Sequence, residues 1–186
     1  MNTILQQELK KILNGRFSQS ESTRLNYSRG EDTYDPILSK AVVFPETNEE
    51  VSKILKLCNE HKVPVVPFGT GTSLEGNVVG NDKGITISLE KMNKILTVNT
   101  QDFDCRVQAC VTREQLNDYL REDGVFFPID PGANAAIGGM ASTSASGTMA
   151  VKYGTMKTVI TGLTVVLPNG EIMNTGGRTK KTSAGY

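Results

Sequence analysis

The residues best suited to chemistry lie in a glycine-rich run, Pro67–Gly76 (PFGTGTSLEG), which we call the glycine loop. Glycines permit positive φ angles and let a ligand approach the main chain without a Cβ in the way. Consecutive amides in such a turn form a concave anion site, and nearby hydroxyl groups add further donors. The pattern therefore indicates a phosphate or pyrophosphate site. Its candidate residues are Pro67, Gly69, Thr70, Gly71, Thr72, Ser73 and Gly76.

Two well-known nucleotide motifs do not fit the glycine loop. The dinucleotide fingerprint G-x-G-x-x-G would need a third glycine where Leu74 stands. The P-loop would need a lysine after Gly76, where the chain has Asn77. A glycine-rich connection that binds no ligand remains the alternative interpretation.

A second candidate site is the run Asp130–Gly147, which we call the small-residue segment. Very small residues fill nearly every position from 132 to 147. They allow backbone and hydroxyl groups to meet a large, flat ligand closely, but they equally allow a helix to pack tightly against another backbone. Because both runs follow predicted strands in separate lobes, we expect one ligand to lie between them.

Other groups give weaker signals. His61 is the single histidine and follows a predicted helix, so a surface or helix-capping role is favoured over catalysis. The chain has no cluster with metal-ligand spacing and no convincing Ser-His-Asp arrangement. We therefore predict no catalytic residue and no metal site.

Composition limits the classes of partner and compartment. Lys plus Arg and Asp plus Glu both number 20, so the zero net charge gives no long-range attraction to nucleic acid or anionic membranes. Three cysteines without C-x-x-C spacing favour reduced thiols. The start lacks the pattern of a signal peptide, and no apolar run approaches the ~20 residues that span a bilayer. We predict a cytoplasmic protein with no transmembrane segment and no nucleic-acid partner.

The elements before the glycine loop are predicted to hold it in a β-α-β unit. An amphipathic helix over residues 3–13 precedes a loop-rich stretch over residues 16–40. The apolar run at 41–44 is typical of a strand, and Thr47 with Glu50 predicts a capping box at the start of a helix. A second strand at 63–67 leads directly into the loop, and residues 85–89 supply another.

A second block follows a predicted lobe boundary at residues 97–103. Period-two alternation over 105–111 predicts a strand, and Thr112 with Gln115 predicts a capped helix that ends at Gly124. Residues 160–174 are typical of a hairpin with its turn at Pro168-Asn169-Gly170.

These runs resemble the FAD-linked oxidases of the vanillyl-alcohol oxidase type, and most closely their glycolate oxidase FAD-binding subunit and D-lactate dehydrogenase branch. The resemblance covers roughly residues 38–186. It depends on the glycine loop, the small-residue segment, Tyr153-Gly154 and the closing run from Lys181 to Tyr186. It implies an α+β fold, a p-cresol methylhydroxylase (PCMH)-type FAD-binding domain of two α/β lobes.

The resemblance implies FAD as cofactor, with its pyrophosphate on the amides and hydroxyls of Gly69–Ser73. Covalent members carry a histidine in this loop, whereas Thr72 or a neighbour stands there here, so noncovalent binding is expected. Ser144 departs from the asparagine that is common at its position. The residues implied to line the flavin are Pro131, Gly132, Gly138, Gly139, Ala141, Ser142 and Ser146.

The resemblance also implies a domain plan in which the second lobe is truncated. Residues 1–37 form an N-terminal helix and lead-in, 38–98 the first lobe and 99–186 an incomplete second lobe, with the C-terminal cap domain absent. We expect this segment alone to be inactive, because in such enzymes the substrate-binding groups lie in the cap.

The implied activity is oxidation of a small D-2-hydroxy acid, glycolate or D-lactate, to the 2-oxo acid. Fe–S or other electron-transfer subunits are the expected partners. Two alternatives remain open: a non-catalytic flavin-binding or subunit-contact module from a truncated or split chain, and a flavin reductase of the cell-wall precursor type. The expected Gly-Ser-Asn motif of such a reductase is missing here.

Overall fold

The computed structural model describes residues 2–181 and divides them into two compact units. Unit 1 contains residues 2–92 and 166–172, and unit 2 contains residues 93–165 and 173–181. The glycine loop lies in unit 1 and the small-residue segment lies in unit 2. The closing run that contributes to the resemblance, residues 182–186, lies outside the described residues.

Unit 1 is a mixed sheet with helices. In chain order its elements are α1 (Thr3–Leu13), β1 (Phe17–Ser18), α2 (Glu21–Asn26), β2 (Val42–Val43), α3 (Asn48–Glu60), β3 (Val65–Phe68) and β4 (Ile85–Ser88). The strand order is β1-β2-β4-β3, in which β2 and β3 run parallel to β4 and β1 is antiparallel to β2. The predicted β-α-β unit is confirmed, with the fully buried β4 between its two strands.

Helix α1 is part of the core of unit 1. Leu5, Leu9 and Leu13 are fully buried and cluster with Ile54 of α3 and Ile85 of β4. The predicted helix over residues 3–13 is confirmed, and Asn14 ends it in the left-handed conformation with φ 41°. The apolar stripe at helical spacing thus places this helix against the sheet.

The predicted loop over residues 16–40 contains two short elements, β1 and α2. Helix α2 begins at an N-cap, Ser20, whose hydroxyl accepts a hydrogen bond from the amide of Thr23 at 3.3 Å. Strand β1 has only two residues and exists because it pairs with β2. No hydrophobic periodicity marks either element, because α2 has no buried residue.

The capping box at α3 is only half formed. The hydroxyl of Thr47 accepts from the amide of Glu50 at 3.2 Å, as predicted. The carboxylate of Glu50 instead accepts from the amide of Glu46 at 2.7 Å and from the guanidinium of Arg16. A tertiary ion pair therefore replaces the return bond of the box.

Unit 2 is built from two hairpins and short helices. Its elements are β5 (Ile95–Asn99), β6 (Asp104–Val107), α4 (Arg113–Leu120), α5 (Ile137–Ser142), α6 (Ala150–Tyr153), α7 (Met156–Val159), β7 (Gly162–Val166) and β8 (Ile172–Gly176). β5 pairs with antiparallel β6, and β7 pairs with β8, which confirms the predicted hairpin over 160–174. Helix α4 starts at the predicted cap Thr112, and a 3-10 turn continues it to Gly124.

The strand predicted over 105–111 ends at Val107. Residues 109–111 turn away because the carbonyl oxygens of Ala109 and Val111 accept hydrogen bonds from Gly138 and Ile137, each at 2.8 Å. Strand β5, which was not predicted, occupies part of the expected lobe boundary. A shift of register between Ile95 and Thr97 disrupts the alternation that would have marked it.

Candidate functional site

The glycine loop begins where β3 ends, at the carboxyl edge of the parallel strands. Strand β3 is the edge strand of its sheet, which suits Pro67, since a proline nitrogen cannot donate to a neighbouring strand. Phe68 is buried at the end of β3, and the residues that follow it are exposed or half-buried. The fold thus presents the loop backbone at the surface of unit 1, next to a rigid strand.

Three successive amides of this loop are free to bind an anion. Within residues 2–181, the backbone N–H groups of Gly71, Thr72 and Ser73 make no hydrogen bond. The carbonyl oxygen of Gly71, by contrast, accepts a 2.9 Å hydrogen bond from the amide of Glu31. Unpaired N–H groups on successive residues are the donors that an anion-binding turn uses.

Hydroxyl groups line the same turn. The hydroxyls of Thr70 and Thr72 lie 3.4 Å apart, so they face one another across Gly71. The hydroxyl of Ser73 accepts from the side-chain amide of Asn77 at 3.1 Å and from the amide of Glu75 at 3.4 Å. Because Ser73 already accepts from two donors, its own proton is available to an outside acceptor.

Two glycines of the loop are required by conformation and by contact. Gly71 has φ +75°, and a Cβ there would lie 2.8 Å from the ring of Phe68. Gly76 has φ +69°, and a Cβ there would lie 2.8 Å from the ring of Tyr34. The chain's own packing therefore accounts for both glycines, and any contact with a ligand is an additional demand.

In the small-residue segment, Gly138 and Gly147 serve packing. A Cβ on Gly138 would lie 2.8 Å from the Cβ of Ala109, and one on Gly147 would lie 1.9 Å from the carbonyl oxygen of Asp130. Tight packing of a helix against another backbone, the alternative interpretation of this segment, therefore accounts for Gly138. Small residues here allow the first turn of α5 to lie directly on the 109–111 turn.

Packing does not explain Gly132 or Gly139, since a Cβ built on either residue would meet no atom of residues 2–181 within 4 Å. For Gly132 the φ of +90° by itself favours glycine. Gly139 lies in α5 and its φ is outside the left-handed region, so alanine would fit its backbone better than glycine does. Open space beside a helical glycine is what a closely approaching ligand would need.

The other predicted residues of the segment lie at or near the surface. Pro131, Ser142 and Ser146 are exposed, and Ala141 is half-buried. The hydroxyl of Ser142 donates to the carbonyl oxygen of Gly138 at 2.9 Å, inside its own helix. Most of the predicted residues of this segment are thus accessible from outside unit 2, whereas Gly138 packs inward.

A segment that the sequence did not single out packs against the glycine loop. Residues 29–32 have the composition of a solvated turn, but Gly30 lies against the loop backbone. A Cβ on Gly30 would lie 2.7 Å from the carbonyl oxygen of Ser73 and 2.8 Å from that of Gly71. In the sequence, only the presence of a glycine at position 30 could have indicated this contact, because its partners Gly71 and Ser73 are distant along the chain.

The remaining reactive groups play other parts. His61 caps the end of α3, and its Nε2 lies 3.9 Å from a carboxylate oxygen of Glu8. Cys58 is buried, and burial raises the pKa of its thiol to about 12. Arg178 pairs with Asp102 and Asp104 at 2.6 and 2.8 Å. Within the described chain, no cluster of His, Cys, Asp or Glu could hold a metal ion, and no helix is long and apolar enough to span a bilayer.

Comparisons with known proteins give a consistent result. The sequence profile of the FAD binding domain family matches residues 39–176. A probable mitochondrial D-lactate dehydrogenase of Danio rerio is 46% identical, covering 91% of this chain and 35% of its own length. The glycolate oxidase subunit GlcD of Bacillus subtilis is 35% identical, covering 91% of this chain and 37% of its own. The chain thus spans about a third of the length of these relatives.

The fold is also found among solved structures. p-Cresol methylhydroxylase with substrate bound superposes with a TM-score of 0.79 and 26% sequence identity, covering 93% of this chain and 35% of that one. The predicted α+β fold of the PCMH-type FAD-binding domain is therefore confirmed.

Proposed function

Because the chain belongs to the FAD binding domain family, we propose that its glycine loop binds the pyrophosphate of FAD. The observation that carries the proposal is the set of free amides at Gly71, Thr72 and Ser73, beside the hydroxyls of Thr70 and Ser73. Oriented N–H groups suit a phosphate because they supply partial positive charge without a counter-ion. Pro67, Gly69 and Gly76 complete the loop.

We propose that the small-residue segment contacts the same cofactor through its exposed members. Gly132 and Gly139 would allow close approach, because a Cβ on either one would meet no atom of the described residues within 4 Å. Pro131, Ala141, Ser142 and Ser146 would complete this surface. Gly138 would act indirectly, by letting α5 lie close to Ala109.

Noncovalent attachment is part of the proposal. Neither the glycine loop nor the small-residue segment contains histidine or cysteine. The buried Cys58 has a raised pKa and thus little thiolate at neutral pH. The chain would therefore retain FAD by hydrogen bonds and packing alone.

The proposed activity of the protein is oxidation of a small D-2-hydroxy acid, D-lactate or glycolate. It is supported by the names of the relatives, one a probable D-lactate dehydrogenase and one a glycolate oxidase subunit. Bound FAD would supply the hydride acceptor, and the residues described here would bind and orient it. We assign no catalytic acid or base to residues 2–181.

The partners and the cellular compartment of the protein are also considered from the names of its relatives. The word "subunit" in the name of the Bacillus subtilis relative supports an assembly with electron-transfer subunits, for which Fe–S proteins are our candidates. A cytoplasmic location stays a prediction, since the name of the Danio rerio relative places that protein in mitochondria.

The test combines a spectrum with turnover. Because this segment alone is expected to be inactive, the test uses the protein expressed from its full natural reading frame. The purified protein should show the absorbance of bound oxidised flavin, which D-lactate or glycolate should bleach anaerobically and a dye should restore. L-Lactate is the matched control substrate. A protein that binds FAD but is bleached by neither acid would be a non-catalytic flavin-binding module, and a protein without flavin affinity would refute the proposal.

A further inference from the structure

We propose that residues 28–34, which we call the brace, position the amides of the glycine loop for the FAD pyrophosphate without contacting the cofactor. The inference rests on the proposed function of that loop. The brace precedes the region matched by the family profile, which starts at residue 39. It belongs to the same compact unit as the glycine loop.

The brace contacts the glycine loop at three places, and it also contacts Gly80, which follows that loop in the chain. The carbonyl oxygen of Ser28 accepts from the amide of Gly80 at 2.9 Å, and the amide of Glu31 donates to Gly71 at 2.9 Å. Gly30 lies against the carbonyl groups of Gly71 and Ser73. The ring of Tyr34 covers Gly76, where a Cβ would lie 2.8 Å away.

The bond from Glu31 determines where one loop amide points. The carbonyl of Gly71 and the N–H of Thr72 belong to the same planar, trans peptide, so they point in opposite directions. Holding the Gly71 oxygen toward Glu31 therefore directs the Thr72 N–H away from the brace. The Ser73 carbonyl, held against Gly30, directs the N–H of Leu74 by the same geometry.

The brace is itself locked by one side chain. The carboxylate of Asp32 accepts from the amide of Gly30 at 3.1 Å and from the amide of Tyr34 at 3.0 Å. This local turn holds Gly30 and Glu31 in place. A loop whose donors are already oriented loses less entropy when the anion binds, which is the basis of higher affinity.

The first test is Gly30→Ala. Its Cβ would overlap two backbone carbonyls, so the loop must shift and FAD affinity should fall by about tenfold or more. Gly177→Ala is the matched control, because within the part of the chain that the structure describes a Cβ there meets no atom within 4 Å, and its φ is not in the left-handed region. FAD affinity should be measured by flavin fluorescence titration well below the unfolding temperature, alongside thermal unfolding of the apoprotein.

The second test uses Asp32. Asp32→Ala removes both acceptors and should weaken FAD binding, whereas Asp32→Asn keeps one acceptor and should fall between Asp32→Ala and the unaltered protein. A purely structural role would lower the unfolding temperature of the apoprotein and leave low-temperature FAD affinity unchanged. That result would refute the proposed positioning role of the brace and leave the proposed function standing. The same holds if Gly30→Ala binds FAD with an affinity within about twofold of that of the unaltered protein. An unaltered protein that does not bind FAD would overturn both.

Discussion

The guanidinium of Arg16 donates two hydrogen bonds to the carboxylate of Glu50, at 2.6 and 2.5 Å. The same guanidinium donates to the carbonyl oxygen of Phe44 at 3.0 Å. Both side chains are about four-fifths buried, with relative exposures of 20% and 19%. The pair joins the end of α1 to the start of α3, and so ties the N-terminal helix to the β-α-β unit that carries the glycine loop.

Removing the charge of Glu50 should destabilise unit 1. Glu50→Gln loses the paired, charge-assisted contact with Arg16 and leaves that partly buried cation with only the longer ion pair to Glu46, at 3.8 Å. The expected cost is about 1–3 kcal/mol in the free energy of unfolding. Glu49→Gln is the control, since Glu49 is an exposed acid in the same first turn and should change stability by less than about 0.5 kcal/mol. Urea denaturation of both variants checks this, and equal effects would contradict it.

The contribution of Glu50 should depend on pH. The hydrogen bond from Arg16 is the main cause that lowers the pKa of Glu50 in the folded protein. Its stabilisation is therefore fully present above the unfolded pKa of about 4.3 and is lost as pH falls through the lower folded value. The stability difference between the unaltered protein and Glu50→Gln should be constant near neutral pH and shrink below about pH 4. A difference that grows on acidification would refute the assignment.

Gly139→Ala should separate stability from cofactor binding. Alanine at position 139 in α5 should stabilise the apoprotein by about 0.5–1 kcal/mol, because alanine has a higher helix propensity than glycine. Its Cβ would meet no atom of the described residues within 4 Å. FAD affinity should nevertheless fall, since the new methyl group enters the space proposed for the ligand. Gly138→Ala, one residue away, should lower stability through its contact with Ala109. Unchanged FAD affinity in Gly139→Ala would remove this residue from the proposed site.

Gly71→Ala should weaken FAD binding beyond its effect on folding. Its Cβ would strain a φ of +75° and contact Phe68, and the displaced amides should reduce FAD affinity at least about tenfold, or 1.4 kcal/mol. Gly15→Ala is the control, since Gly15 has a similar φ of +87° and a Cβ there would meet no atom of the described residues within 4 Å. This variant therefore introduces backbone strain without a steric clash. Flavin titration and thermal unfolding of both variants distinguish the two effects. Equal FAD affinity in both would argue against the glycine loop as the pyrophosphate site.

Acid should release the cofactor. Because neither proposed contact segment contains histidine or cysteine, trichloroacetic acid precipitation of the flavin-loaded protein should leave free FAD in the supernatant. Chromatography against authentic FAD identifies the released species. Yellow colour retained in the washed pellet would show a covalent bond and contradict the noncovalent proposal.

Features that depend on neighbours along the chain could be predicted from the amino-acid sequence. Helix α1 with its Asn14 stop, the Thr47 and Thr112 caps, and the β7–β8 hairpin all follow from local periodicity, capping and turn chemistry. The glycine loop and the small-residue segment, taken together with their resemblance to a known family, were sufficient to predict the fold and FAD as the cofactor. Short-range rules suffice where the hydrogen-bonding partners are only a few residues apart.

The role of each glycine depends on contacts between segments that are distant in the sequence. Gly138 packs on Ala109, Gly30 lies against Gly71, and Gly139 faces open space, although all are equally small in the sequence. Strand β5 and the end of β6 likewise depend on a bulge and on carbonyl groups engaged by α5. The role of a glycine depends on which atom a Cβ at its position would contact. That atom belongs to a segment brought near by folding, so no local pattern could reveal it.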